Sequence, residues 1–148
     1  MTRTTRTIAF FALLIAAAYG LSVANGFVFD DLIFVTRDPR VQSITETHRL
    51  FVEPLWGFTD VPGNIHAHQY YRPLQTVPLA LNVAVAGHHA WPSHLLNLVL
   101  HCVNAILLLS LLSHLGIDRR IASGAAAAWA VHPGWSEAVL WISDVAGL

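Results

Sequence analysis

The sequence predicts an all-α integral membrane protein with about three membrane helices and a large exoplasmic loop carrying interfacial helices. Three observations predict it. The chain is 55% apolar and 11% charged, against roughly 25% charged in ordinary soluble domains, and its mean hydropathy is +0.53. Two apolar runs, 8–24 and 92–115, are long enough to cross a bilayer, for which about 20 residues are needed and roughly 17 suffice. Arg3, Arg6, Arg119 and Arg120 fall on one side of those runs, as the positive-inside rule requires of a cytoplasmic face. The composition also excludes other classes. A net charge of −1 without a basic stripe gives no signal for nucleic acid. Cys102 is the only cysteine and sits in an apolar run, so neither a disulfide framework nor a cysteine-based metal site can form within one chain.

In order, residues 1–7 are polar and cytoplasmic, and 8–24 form the first span. A cleaved signal peptide is the competing reading, with Ser22-Val23-Ala24 as its small-residue site. It loses because further spans follow. Residues 25–91 contain no window apolar enough to cross and are punctuated by Pro39, Pro54, Pro62, Pro73 and Pro78. This is the exoplasmic loop. Within it, 49–56 and 74–85 place apolar residues at helical intervals, as short interfacial helices do. Trp56, Tyr70, Tyr71 and Trp91 suit the headgroup level, and Pro62-Gly63-Asn64 marks an exposed turn.

The second span, 92–115, has Pro92 for its first turn and Gly116 for its stop. His94, Asn97, His101 and Asn104 fall within an arc of about 80° on it, at about 100° per residue. That polar inward face meets protein or a water-filled cavity, while the Leu and Val face meets lipid. Residues 116–120 make a cytoplasmic turn. The third span, 121–142, is broken: its apolar run ends at His132-Pro133 after a rise of about 16 Å, roughly half the hydrocarbon thickness. The alanines at 125–128 favour close helix packing. The chain ends without a polar tail, which reads as the N-terminal part of something longer.

The stretch Asn25 to Asp31 puts an acidic pair where the first span meets water. Asp30 and Asp31 are candidates for a general base or for half of a cation site, with a solvated helix cap as the plain alternative. Adjacent residues on a helix point about 100° apart, so one Asp aims into a pocket while the other binds backbone, Arg or a cation. The polar face of the second span reads first as interhelical hydrogen bonding. A haem or metal site using His101 and His132 is the rival. His66, His68, His88 and His89 read as solvated loop histidines. Arg72, between Tyr71 and Pro73, is either an interfacial snorkelling residue or a phosphate clamp. Glu137, near membrane depth, must face a cavity or a partner.

A set of short motifs then comes in order: Phe27-Val-Phe-Asp-Asp31, Asp38-Pro-Arg-Val41, Leu50-Phe51 to Trp56-Gly57, and Tyr71-Arg-Pro-Leu74. His94-Leu-Leu-Asn97, His101, His132-Pro133, Glu137-Ala-Val139 and Trp141-Ile-Ser143 follow. The series resembles the start of the transmembrane and tetratricopeptide-repeat O-mannosyltransferases and their bacterial relatives, over roughly residues 25–148. The resemblance implies a GT-C type membrane fold in an inner or ER membrane, with repeat helices further downstream. It implies transfer of a sugar from a polyprenyl or dolichyl phosphate donor to a protein or glycan hydroxyl on the exoplasmic side.

The leaving group of that reaction is already a phosphate anion, so the site needs a base, positive charge and alignment but no general acid. Asp30 or Asp31 is then the base, predicting inversion at the anomeric carbon. Arg72, with Tyr71, meets the phosphate, and His132 and Glu137 shape the pocket. No cofactor is required, and a divalent cation at Asp30/Asp31 stays open. One departure stands out: the family pattern continues Trp-Ile-Ser with Gly-Arg, and here Asp144-Val145 takes that place. A non-catalytic membrane adaptor would account for the hydrophobicity and the loop as well.

Overall fold

The computed structural model describes residues 2–59 and 70–147. The expected turn at Pro62-Gly63-Asn64 and the histidines His66 and His68 lie outside the described residues. Among those described, every regular element is helical.

Helix α1, Arg3–Tyr19, begins where the Thr2 hydroxyl accepts the Thr5 N–H at 3.2 Å, and it runs on through a 3-10 segment, Gly20–Ala24. Together these form a 22-residue rod whose most apolar 18-residue stretch has a mean hydropathy of 2.1. Helix α5, Trp91–His114, has 24 residues, and its most apolar 18-residue stretch has a mean hydropathy of 2.2. By length and composition both can cross a membrane. Gly116 stops α5 with φ of 80°, a left-handed conformation that costs glycine little.

Helix α6, Arg119–Ala130, is capped by Asp118, whose carboxylate accepts the Arg120 N–H. Its 12 residues rise about 18 Å, too short to cross alone. It ends where expected, because the residue before a proline is pushed out of the helical region: His132 is extended, with φ −66° and ψ 130°. Beyond it come a 3-10 turn, Pro133–Trp135, a short α-helix, Ser136–Leu140, and a 3-10 segment, Ile142–Gly147. The segment expected to be a third, broken span is therefore a half-length helix followed by three short pieces. Among the described residues, two helices have crossing length.

Phe11, Ile15 and Tyr19 of α1, Ala105 and Leu109 of α5, and Ala122, Ala126 and Ala130 of α6 form one core. The three α6 alanines recur every fourth residue and are wholly buried, so their small side chains let the helices approach closely. Leu107 and Leu111 of α5 and Leu13 of α1 point outward and stay exposed.

In its described residues, the connection between the long helices packs around a core of its own. It contains α2, Asp30–Arg37, α3, Pro39–Gln42, and α4, Pro73–Ala86, the last matching the helix expected at 74–85. The helix expected at 49–56 is instead a 3-10 segment, Thr47–Phe51, followed by turns into Pro54. Phe34, Val35, Val41, Leu55, Leu79, Ala90 and Ile142 form a second core here. Asp38 joins α2 to α3: its carboxylate accepts the Arg40 N–H at 2.9 Å and grips the Arg40 guanidinium at 2.9 and 2.8 Å. Arg40 also donates to the Pro54 and Leu55 carbonyls. Both side chains of this pair are shut off from solvent. Further out, the carboxylates of Glu53 and Glu46 hold the Arg49 guanidinium above its ordinary value. After α4 comes Gly87, with φ of 61°, before α5 begins.

Candidate active site

Asp30 and Asp31 occupy the first turn of α2, where carboxylates suit the positive end of a helix. The rotation between them gives them different surroundings. Asp31 is fully buried. One of its oxygens accepts both the backbone N–H of Ser143, at 2.8 Å, and the Ser143 hydroxyl. The other accepts the Val28 N–H at 3.1 Å. Asp31 thus ties the start of α2 to the last segment of the chain.

Asp30 is half-buried and lines a cavity of ≈ 200 Å³. Its walls come from three places: α2 itself, the Leu55-Trp56 turn, and the Tyr70-to-Gln75 entry to α4. Trp141, Ser143 and Asp144 close it. Arg72 brings a guanidinium to this cavity, over the Tyr70 ring at 5.6 Å. The structure thereby brings together Asp30 and Arg72, two of the residues singled out from sequence. The neighbouring tyrosine on the wall is Tyr70. Tyr71 lies outside the cavity, exposed, and its hydroxyl donates to the Phe51 carbonyl at 2.7 Å.

Trp141 also forms one wall of an open groove of ≈ 580 Å³, together with Val28, Phe29, Leu140 and Glu137. Glu137 is exposed there, so it meets the condition that it face a cavity, but a different one from Asp30. Phe29, directly before Asp30, has φ of 47° and ψ of −118° and packs edge-on to Trp141 with ring centres 6.3 Å apart. A non-glycine residue there stores strain of order 1–3 kcal/mol. His132 lines neither space. Its Nδ1 accepts the Gly134 N–H at 3.0 Å, and its carbonyl accepts the Tyr19 hydroxyl at 2.9 Å.

The polar face of α5 acts as hydrogen-bonding glue. His101 Nε2 donates to the Ala130 carbonyl at 2.9 Å, at the end of α6, and its ring stacks on Trp129. Asn97 donates to the Val139 and Trp141 carbonyls at 3.4 and 3.3 Å. The Ala130 and Val139 carbonyls lie where broken helices leave carbonyls without intrahelical partners, and the Trp141 carbonyl also accepts the Asp144 N–H at 3.2 Å. His94 is buried beside Asn25, Gly26 and Asp31, with no well-formed hydrogen bond to either ring nitrogen. Asn104 is half-buried further along the same face. His101 Nε2 is thus committed to the end of α6 and His132 Nδ1 to its own turn, and among the described residues no group of three or more His, Cys, Asp or Glu could hold a metal ion. His88 and His89 are exposed.

Several site residues escaped the sequence reading. Leu55 and Gln75 line the cavity, while Trp141, Ser143 and Asp144 figure in the sequence only as a motif and the departure from it. Gln75 lies in the first turn of α4, just inside its N-cap Arg72, a proximity in sequence that could have found it. Nothing local announces that Ser143 partners Asp31, because the contact joins distant parts of the chain.

No family model matches the chain, and no solved structure matches it. Curated relatives do. The chain is 34% identical over 125 residues to a protein of Mus musculus named Protein O-mannosyl-transferase TMTC3. It is 32% identical over 126 residues to the Mus musculus Protein O-mannosyl-transferase TMTC1. It is 30% identical over 128 residues to the Drosophila melanogaster Protein O-mannosyl-transferase Tmtc2. These matches take in 84 to 86% of this chain but 13% of each relative, so the chain spans about an eighth of the length of the curated relatives it matches.

Proposed function

We propose that the chain is part of a membrane glycosyltransferase of the GT-C type. It moves mannose or a similar hexose from a polyprenyl or dolichyl phosphate to a protein or glycan hydroxyl on the exoplasmic side. The observation that carries this reading is the meeting of Asp30 and Arg72 in one cavity at the end of the first long helix. The relatives named O-mannosyl-transferases support the same chemistry.

Asp30 is the general base and Arg72 the phosphate-binding cation. The acceptor O–H gives its proton to the Asp30 carboxylate while its oxygen forms a bond to the anomeric carbon. The bond from that carbon to the phosphate oxygen breaks, and its electron pair leaves on the phosphate. Arg72 stabilises that charge, since a guanidinium can meet two phosphate oxygens at once. A single displacement inverts the anomeric centre. Asp31 positions Asp30 through the tie to Ser143. Glu137 belongs to the groove beyond Trp141, where it lies near the reacting centre without sharing the cavity. No resident cofactor is needed. The reaction as drawn uses no cation between Asp30 and Asp31, and the buried Asp31 spends its oxygens on hydrogen bonds to Val28 and Ser143. The donor's tail explains a membrane site: moving it into water costs about 0.8 kcal/mol per CH₂. Arg3, Arg6, Arg119 and Arg120 support a cytoplasmic N-terminus.

The test is a transfer assay with the complete protein containing this chain, a hexose-bearing polyprenyl phosphate and a serine- and threonine-containing peptide. The wild type is expected to form glycopeptide with inverted anomeric configuration, and Arg72→Gln to weaken donor binding. Absence of transfer from any hexose donor, with donor binding unaffected by Arg72→Gln, overturns the reading.

A further inference from the structure

At the other end of the helix bundle, Arg3 and Arg6 of α1 and Arg119 of α6 surround a hollow of ≈ 340 Å³. We infer that this hollow is a binding site for the phosphate of an anionic lipid headgroup. Thr7 and Ser123 add hydroxyls to the rim, and Arg119 reaches the Thr7 hydroxyl at 3.4 Å, so the two helices hold one site between them. The floor is apolar: Phe11 and Leu109 are buried, and Phe10 is half exposed.

The arrangement concentrates positive charge against the usual rules. The N-terminal turn of a helix favours acidic residues, yet the first turns of α1 and α6 contain none and carry arginines instead. Four arginines meet a single nearby carboxylate in sequence, Asp118, and that one already accepts the Arg120 N–H at 2.9 Å. Among the described residues, Arg3, Arg6 and Arg119 form no ion pair, whereas Arg40 and Arg49 each have carboxylate partners. The missing counter-charge comes from outside the described chain. A lipid supplies it better than free phosphate does. The hollow sits at the ends of both crossing-length helices, at headgroup level. From it, Phe10 and the outward-facing Leu13, one turn on, give acyl chains an apolar track.

This site is independent of the sugar-transfer reading and can be tested without an activity. The protein is placed in nanodiscs of phosphatidylcholine containing a minority of phosphatidylglycerol, and retained lipid is counted by native mass spectrometry. The wild type is expected to retain phosphatidylglycerol selectively. Arg119→Gln and the double variant Arg3→Gln/Arg6→Gln are expected to lower retention by about fivefold per arginine, and Arg119→Lys to keep most of it. Arg120→Gln, at the same end but not on the hollow, and Arg37→Gln, at the other end, are expected to leave retention near wild type. Millimolar inorganic phosphate is expected not to displace the lipid. Equal losses from Arg119→Gln and Arg120→Gln would reduce the site to diffuse charge. Displacement by inorganic phosphate would make it a site for free phosphate. Either result overturns the proposal, as does equal retention of the two lipids.

Discussion

One turn of helix gives two adjacent carboxylates opposite fates. Asp30 faces a cavity with Arg72, while Asp31 is sealed inside and accepts three hydrogen bonds. The sequence shows that the two must point apart, but it cannot show which is buried, because the deciding partner, Ser143, lies at the far end of the chain. Asp31→Ala is expected to strand the buried Ser143 N–H and to destabilise the protein by about 1–3 kcal/mol. Thermal unfolding in detergent measures that loss, and Asp30→Ala should show much less. The Asp38–Arg40 pair predicts a larger effect. Arg40→Ala leaves a buried carboxylate without its partner, a change costing about 3–5 kcal/mol, and the same unfolding measurement should show it exceeding the loss from Arg49→Ala. Arg49 and its partners are only half-buried and remain screened by water, as surface pairs usually are.

Among the elements, the long helices were the most legible. Their runs are continuous and apolar, and Pro92, Gly116 and Pro133 mark the boundaries that the structure shows. The connecting segment was less legible. Helices α2 and α3 are short and their patterns are incomplete without Leu55, Leu79 and Ile142 packed against them. The polar arc of α5 was visible as periodicity, and its interhelical role was the plain reading. The structure adds that it serves carbonyls at the ends of broken helices. Asn97→Leu should therefore destabilise by about 0.6–1.7 kcal/mol, the range of hydrogen bonds between membrane helices, as read by unfolding in detergent. On α6, Ala126 is wholly buried in the contact with α1 and α5. Ala126→Leu should cost about 1–3 kcal/mol by overpacking, whereas the exposed Ala128→Leu should not.

For the whole molecule, the two cores divide the work. The first holds α1, α5 and α6 as a bundle, and the second folds the connecting segment over its end. The candidate cavity lies at the second core's edge, where the start of α2, the start of α4 and the Trp141-to-Asp144 segment meet. Sequence could supply the individual motifs and their order, but not which of Tyr70 and Tyr71 faces inward, nor that Glu137 and His132 fall outside the Asp30 cavity. Those outcomes depend on contacts between segments far apart in the chain. The central claim is that Asp30 reacts and Asp31 supports. Its most direct test compares Asp30→Asn with Asp31→Asn in the complete protein, measuring sugar transfer and unfolding midpoint together. Asp30→Asn is expected to lose at least about a hundredfold in turnover, as removal of a general base does, with its midpoint unchanged. Asp31→Asn is expected to lower the midpoint. Normal turnover in Asp30→Asn would contradict the account.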